Sequence, residues 1–169
     1  STTVSAGALI AGANVAVSTN SPFGNAASAL VLGNSSTTAN NSSPALYAGG
    51  AFTIARTASI ANQSTAGGYT IGGNTDNNST FSGLITFSQP FSVTQVATNG
   101  ANTLTISGGI TGGLAGSKTV TFDNEGAVIV STGVIANGTG TTLVRKKNNG
   151  VLTMNSTNTY TGGTTLDAG

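Results

Sequence analysis

The sequence contains no cysteine, no histidine and no tryptophan, and only one methionine and three prolines. No disulfide framework can form. No Cys/His zinc site can be assembled. Without histidine, neither a Ser-His-Asp nor a Cys-His catalytic set exists. Charge is equally scarce: five Lys and Arg and four Asp and Glu make 5% of the chain, against about 25% in ordinary soluble domains. A net charge of +1 leaves no electrostatic footprint for nucleic acid. No apolar run approaches the roughly 20 residues of a membrane-spanning helix. No charged-then-apolar leader opens the chain. It begins at Ser1 rather than Met, which reads as a processed product or a piece of something larger.

What is present is small, polar or β-branched. Thr, Gly, Ser and Asn account for 91 of the 169 residues. Hydrophobic residues make 37%, mostly Ala, Val, Leu and Ile, enough for one thin core. Disorder combines low hydrophobicity with high net charge, and this chain lacks the charge. The helix formers of polar faces, Glu, Lys, Gln and Arg, are nearly missing. Short runs alternate with period two instead: Thr103-Leu104-Thr105-Ile106-Ser107, Lys118-Thr119-Val120-Thr121-Phe122 and Val151-Leu152-Thr153-Met154-Asn155. Each is bounded by Gly or Asn and reads as a short strand.

The strands recur. A Ser/Thr-Gly-x-Ile element stands at Ser82-Gly83-Leu84-Ile85, Ser107-Gly108-Gly109-Ile110 and Thr132-Gly133-Val134-Ile135, with the glycines 25 apart each time. Nearly equal steps extend the series forward to Gly162 and backward through Ala58 to Gly33 and Gly7. A period near 25 is too short for a propeller blade and too β-rich for a helical solenoid. It fits one coil of a parallel β-helix, with successive coils pairing at about 4.8 Å. The expected fold is all-β, a single domain over residues 1–169 with six to seven coils. Gly7, Gly33, Gly83, Gly108, Gly133 and Gly162 are expected at coil turns that need φ > 0. Asn side chains are expected to bond to one another along the axis. Phe52, Phe81, Phe87, Phe91 and Phe122 are expected in the core or at coil ends.

The last 20 residues, Gly150 to Gly169, contain Gly150-Val151-Leu152-Thr153-Met154 followed by Asn158-Thr159-Tyr160-Thr161-Gly162-Gly163-Thr164-Thr165 and a final Ala168-Gly169. This stretch resembles the autotransporter-associated β-strand repeat, also called the passenger-associated transport repeat, of bacteria. The usual Lys-x-Gly-x-Gly lead-in is altered here to Lys146-Lys147-Asn148-Asn149-Gly150, with one glycine replaced by Asn. The resemblance implies a right-handed parallel β-helix, exported to a bacterial surface or secreted. It implies presentation and export, with no catalytic residues of the repeat's own. The chain also echoes itself: Ser1-Thr2-Thr3-Val4-Ser5-Ala6-Gly7 and Gly163-Thr164-Thr165-Leu166-Asp167-Ala168-Gly169 agree at four of seven positions. One reading is a unit of a tandem array that starts and stops at the same phase. Another is a subunit whose last coil docks on the first coil of a copy. A third is that coils of this composition are simply written alike.

Catalysis is weighed on the acids. Asp123 and Glu125, two apart, would share a strand face, at a separation of roughly 6.5–7 Å that glycoside hydrolysis tolerates. The sequence Asp123-Asn124-Glu125-Gly126 reads better as a turn, whose oxygens could at most contribute to a weak calcium site. Asp76 and Asp167 stand alone. Arg145, Lys146 and Lys147 form the one charge cluster, which reads as a solvated turn or a contact for an anionic surface polymer. The Thr103/Thr105 and Thr119/Thr121 pairs do not recur on every coil, which argues against an ice-ordering ladder. Asn34, Asn62, Asn78, Asn137 and Asn155 open Asn-x-Ser/Thr sequons that follow from composition.

The sequence therefore gives no catalytic residue, no metal ligand and no cofactor. The expected role is an extracellular structural one: a rigid solenoid forming a surface fibre by end-to-end stacking or tandem repetition. Its expected partner is itself, with a surface glycan second. The alternatives are a monomeric passenger stalk of an adhesin and, behind it, a polysaccharide-acting β-helix enzyme. Both ends are expected to be open, because neither terminus reads as a capping helix.

Overall fold

The computed structural model describes residues 1–97 and 102–169. Its strands form three parallel sheets. The first sheet stacks β1 (Thr2–Val4), β3 (Leu30–Leu32), β6 (Ala58–Ile60), β9 (Ile85–Phe87), β12 (Ile110–Gly112) and β15 (Ile135–Ala136). The second stacks β2 (Ala8–Ala11), β4 (Ala45–Ala48), β7 (Tyr69–Gly73), β10 (Phe91–Gln95), β13 (Ser117–Asp123), β16 (Thr141–Lys147) and β18 (Thr164–Leu166). The third stacks β5 (Thr53–Ile54), β8 (Ser79–Phe81), β11 (Thr103–Ile106), β14 (Ala127–Val130) and β17 (Leu152–Met154). Val15 extends the third sheet by a parallel bridge to Ile54. The chain visits the three sheets in turn and pairs each strand with the one a coil earlier. It is a parallel β-solenoid of about six coils.

Alternation within each short strand sends every second side chain inward. Register then lines like with like along the axis. Ile85, Ile110 and Ile135 stand opposite one another, 25 residues apart each time and fully buried. Leu46, Ile71, Val93 and Phe122 form a second inward column. The interior is one continuous cluster that includes Phe81, Phe87, Phe91 and Phe122. Phe52 is only half-buried, so it does not plug the core as expected. It lies at a corner, where its ring covers the Cα face of Gly50.

The glycine marks divide into two groups. Gly83, Gly108 and Gly133 form a true column at the corner before the Ile85–Ile110–Ile135 stack. Their backbone is not left-handed, contrary to the expectation. Glycine is required there because coils touch. A Cβ on Gly108 would fall 2.6 Å from Ser82 O, and closer still to the Gly83 carbonyl. A Cβ on Gly133 would stand 2.6 Å from the carbonyl carbon of Gly108. The other marks belong elsewhere. Gly7 and Gly162 precede strands of the second sheet, and Gly33 follows a strand of the first. Of these, Gly7 and Gly33 do adopt positive φ (67° and 98°), whereas Gly162 is restricted by contact with Thr142 and Leu143. Ala58 pairs with Ile85, not with Gly83. Insertions in the early coils break the even count: β2 and β4 pair Ala8 with Ala45, a step of 37 rather than 25.

One insertion is a helix that the composition did not announce, α1 (Ser35–Ala39). Asn34 caps it, accepting from the Ser36 and Thr37 amides, while Thr37 Oγ1 accepts from Asn34 N to complete a capping box. Thr37 is buried and donates to Ser5 O at 2.7 Å, fastening the helix to the first coil. Among the described residues, Asn side chains reach the next coil's backbone where an Asn–Asn ladder was expected. Asn14 Oδ1 accepts from Thr53 N and Asn78 Oδ1 from Thr103 N. A side-chain amide thus satisfies a strand N–H where the backbone ladder ends.

Candidate functional site

The two ends of the solenoid differ. In the first coil the inward side chains Val4, Ala11 and Val15 are 7%, 0% and 0% exposed. Phe23 packs against this end of the core. Its loop is riveted by Arg56, a fully buried guanidinium. Arg56 Nε donates to Ser28 O at 3.0 Å, Nη2 to Ser28 O at 2.6 Å and Nη1 to Phe23 O at 2.9 Å. The expectation of two open ends is therefore corrected for the core at the N-terminal side, which a loop rather than a helix covers, while β1 and β2 remain the outermost strands of their sheets. Arg56 was missed in the sequence, although its phase was visible. It lies two residues after the inward Ile54, and alternation continues inward.

At the other end nothing in the described chain covers the last coil. Leu166 is 67% exposed and Val151 64%. Leu152 and Met154 are half-buried. With Lys146 and Thr164 these residues line an open depression of about 520 Å³. β17 and β18 are the outermost strands of their sheets, so each presents a free hydrogen-bonding edge beside apolar side chains.

Residues 158–165 build this end. Asn158 Oδ1 accepts from Ile135 N at 2.7 Å, and the Thr159 and Tyr160 amides donate to Ile135 O. Thr161 N donates to Asn137 Oδ1, whose amide nitrogen donates to Thr161 Oγ1. Tyr160 packs on the core, and its hydroxyl shares a hydrogen bond with Thr164 Oγ1. Gly162 N donates to Thr142 O, and Thr164 and Thr165 enter β18 against β16. All the groups that carry the family resemblance are used in laying one further, incomplete coil on the last complete one. The echo between the two termini does not fall at one phase: Thr2-Thr3-Val4 is β1 in the first sheet, and Thr164-Thr165-Leu166 is β18 in the second.

The charged residues resolve individually. Arg145, Lys146 and Lys147 lie in β16 rather than in a turn. Alternation separates them. Arg145 points outward and bridges Asp167 at 2.5 Å. Lys147 stands opposite Asp123. Lys146 points inward, continues the Leu46–Phe122 column, and is only 4% exposed. Its ammonium donates to the carbonyls of Lys147 and Asn148. Burial pushes its pKa below the usual lysine value, while Asp123 pulls the other way. Opposite charges are thus set on neighbouring coils, which avoids like-charge stacking.

Asp123 ends β13, where its Oδ1 accepts from Asn148 Nδ2 at 2.8 Å, and Glu125 is exposed in the bend that follows. The two carboxylates do not share a strand face. Among the described residues no group of three or more His, Cys, Asp or Glu side chains is gathered as a metal would need. Asp76 accepts from Asn102 at the corner between the second and third sheets. The Thr103/Thr105 and Thr119/Thr121 pairs lie on different sheets, in β11 and β13, so they form no common plane. Among the described residues no helix is long and apolar enough to cross a membrane.

No protein-family model, no curated protein and no solved structure matches the chain.

Proposed function

We propose that the chain is an extracellular structural protein, a rigid solenoid rod that lengthens by coil-on-coil stacking. Its C-terminal face receives the N-terminal coil of a second copy. The observation that carries this reading is the uncovered last coil, where inward Leu166 is 67% exposed and β17 and β18 are outermost strands, matched at the other end by β1 and β2, which are also outermost in their sheets. A parallel strand laid on β17 and β18 would pair their free edges and bury their apolar side chains together. Charge supports a second copy as the occupant. No charged side chain occurs before Arg56, so the N-terminal coil brings no like charge against the Arg145–Lys147 segment. The resemblance of residues 150–169 to the autotransporter-associated repeat supports export to a bacterial surface. No catalytic, cofactor or metal role is assigned.

The test is sedimentation velocity across a concentration range, on the unaltered chain and on Leu166→Lys. Stacking predicts a mass that grows with concentration and a variant that stays monomeric, because a second ammonium would be buried at the joint beside Lys146, its partner in register. A single sharp monomer at every concentration for both proteins would contradict the proposal and leave the monomeric stalk.

A further inference from the structure

A stacked joint has a phase, and the order of the sheets sets it. Every coil passes from the first sheet to the second and then to the third. The last coil is uneven. Residues 158–160 lie on β15 and β18 lies on β16, whereas β17 is the outermost strand of the third sheet. The first coil runs β1, then β2, then the Val15 bridge in the third sheet.

The inward column from Leu46 to Lys146 continues to Leu9 at one end and to Leu166 at the other. Leu9 is half-buried and Leu166 is exposed. A copy whose β2 lies on β18 in the register used inside the solenoid sets its Leu9 over Leu166. Its β1 then lies over residues 158–160. Its Val15 stands two coils from β17 rather than one, so the joint leaves one strand position of the third sheet free. That position is about 4.8 Å wide and is floored by Leu152 and Met154.

The copy carries a segment that fits there. Residues 16–29 leave Val15 and return to β3 at the corner where the third sheet turns into the first. Thr2 Oγ1 donates to Phe23 O at 3.4 Å and Arg56 Nη1 donates to it at 2.9 Å. These bonds hold Phe23 beside β1, the outermost strand of the first sheet. The loop contains no charged residue. Its Phe23 is half-buried and its Val17 is 44% exposed.

We infer that the joint is keyed: β2 of one copy pairs with β18 of the next, and the Phe23 loop takes the strand position left over β17. This rests on the stacking reading and adds to it the phase and the partner surface. A joint turned by one sheet, with β1 on β17, would leave no free position. It would also lay β2 on residues 158–160, which form no strand, and would break the Leu9–Leu166 column. The keyed joint makes assembly selective, because only a copy with the apolar loop closes the third sheet.

The chain has no cysteine, so disulfide trapping tests the phase. Three double variants are oxidised and run on denaturing gels without reductant, beside sedimentation velocity of the unaltered chain. They are Leu9→Cys with Leu166→Cys, Phe23→Cys with Met154→Cys, and Val4→Cys with Met154→Cys. The two positions of each pair lie at opposite ends of one chain, so a bond joins separate copies. Facing residues on adjacent strands are within disulfide reach. The inference expects covalent ladders from the first two pairs and none from the third. A ladder from the third pair, with none from the first, would overturn it in favour of the turned joint and leave stacking intact. A ladder from the first pair without one from the second would overturn the place given to the loop. An unaltered chain that stays monomeric, with no ladder from any pair, would remove the stacking reading itself.

Discussion

Replacing Gly108 with Ala adds one methyl group and tests whether coil-to-coil contact, rather than backbone conformation, fixes the glycine column. The added Cβ would meet Ser82 O at 2.6 Å and the Gly83 carbonyl more closely. These are backbone atoms of the coil below. They cannot swing aside as a side chain would, because Ser107 N and Gly108 N both donate to Phe81 O across the same joint. Overpacking of this kind costs about 1–3 kcal/mol, and a rigid partner places Gly108→Ala near the top of that range, about 3 kcal/mol. For a chain of this size that is a fall in Tm of about 6–12 °C. Two controls separate the causes. Gly7 has φ +67° and nothing within 4 Å of its Cβ site, so Gly7→Ala should cost only the left-handed penalty of about 1–2 kcal/mol. Gly12 has open space and no left-handed φ, so Gly12→Ala should be neutral or stabilise by about 0.4–1 kcal/mol. Reversible urea unfolding followed by circular dichroism measures all three. If Gly108→Ala lies within about 0.5 kcal/mol of the parent, or is milder than Gly7→Ala, the contact argument is refuted.

Arg56→Met should destabilise by about 2–4 kcal/mol, because it strips the donors from the Ser28 and Phe23 carbonyls. Limited proteolysis should then cut first between residues 18 and 29, and unchanged resistance there would count against the rivet. The alkaline limb of stability should carry two opposite slopes. Lys146 has a folded pKa below its ordinary 10.5, so between the two values the unfolded chain binds more protons and stability rises with pH. Burial raises the Tyr69 pKa above its ordinary 10.0, so the folded state holds that proton longer and stability falls as pH climbs past 10. Urea midpoints measured from pH 8 to 11 should show the rise flattened in Lys146→Met and the fall reduced in Tyr69→Phe. A parent curve that both variants reproduce would contradict the assignment.

Much of the fold was legible because a solenoid repeats its instructions. Period-two runs ending in Gly or Asn marked strands, and the 25-residue recurrence of Ile85, Ile110 and Ile135 gave the coil directly. The earlier coils were less legible. Their spacing is broken by the loop around Phe23 and by α1, and counting backward in steps of 25 placed Ala58 two residues out of register. The glycines were found for partly the wrong reason: sequence shows that a side chain is missing, not whether dihedral angle or a neighbouring coil forbids it. At the candidate site, it was the resemblance to the autotransporter-associated repeat that pointed to residues 158–165, which lie along the last, incomplete coil. The inward Lys146, in a cluster expected to be a solvated turn, and Arg56 both stand in phase with buried neighbours, which charge alone does not show. The closed N-terminal end could not be read either. It depends on a loop with no periodicity, held by a guanidinium 28 residues further on from Ser28.

The most direct test of the central claim is electron cryo-microscopy of the protein over a range of concentrations. The account predicts unbranched filaments with strands perpendicular to the axis at about 4.8 Å spacing. Subunits should join head to tail, with the inward Leu152, Met154 and Leu166 buried against the first coil of the next copy. Discrete rods of about 30 Å, six coils long, at every concentration would contradict it.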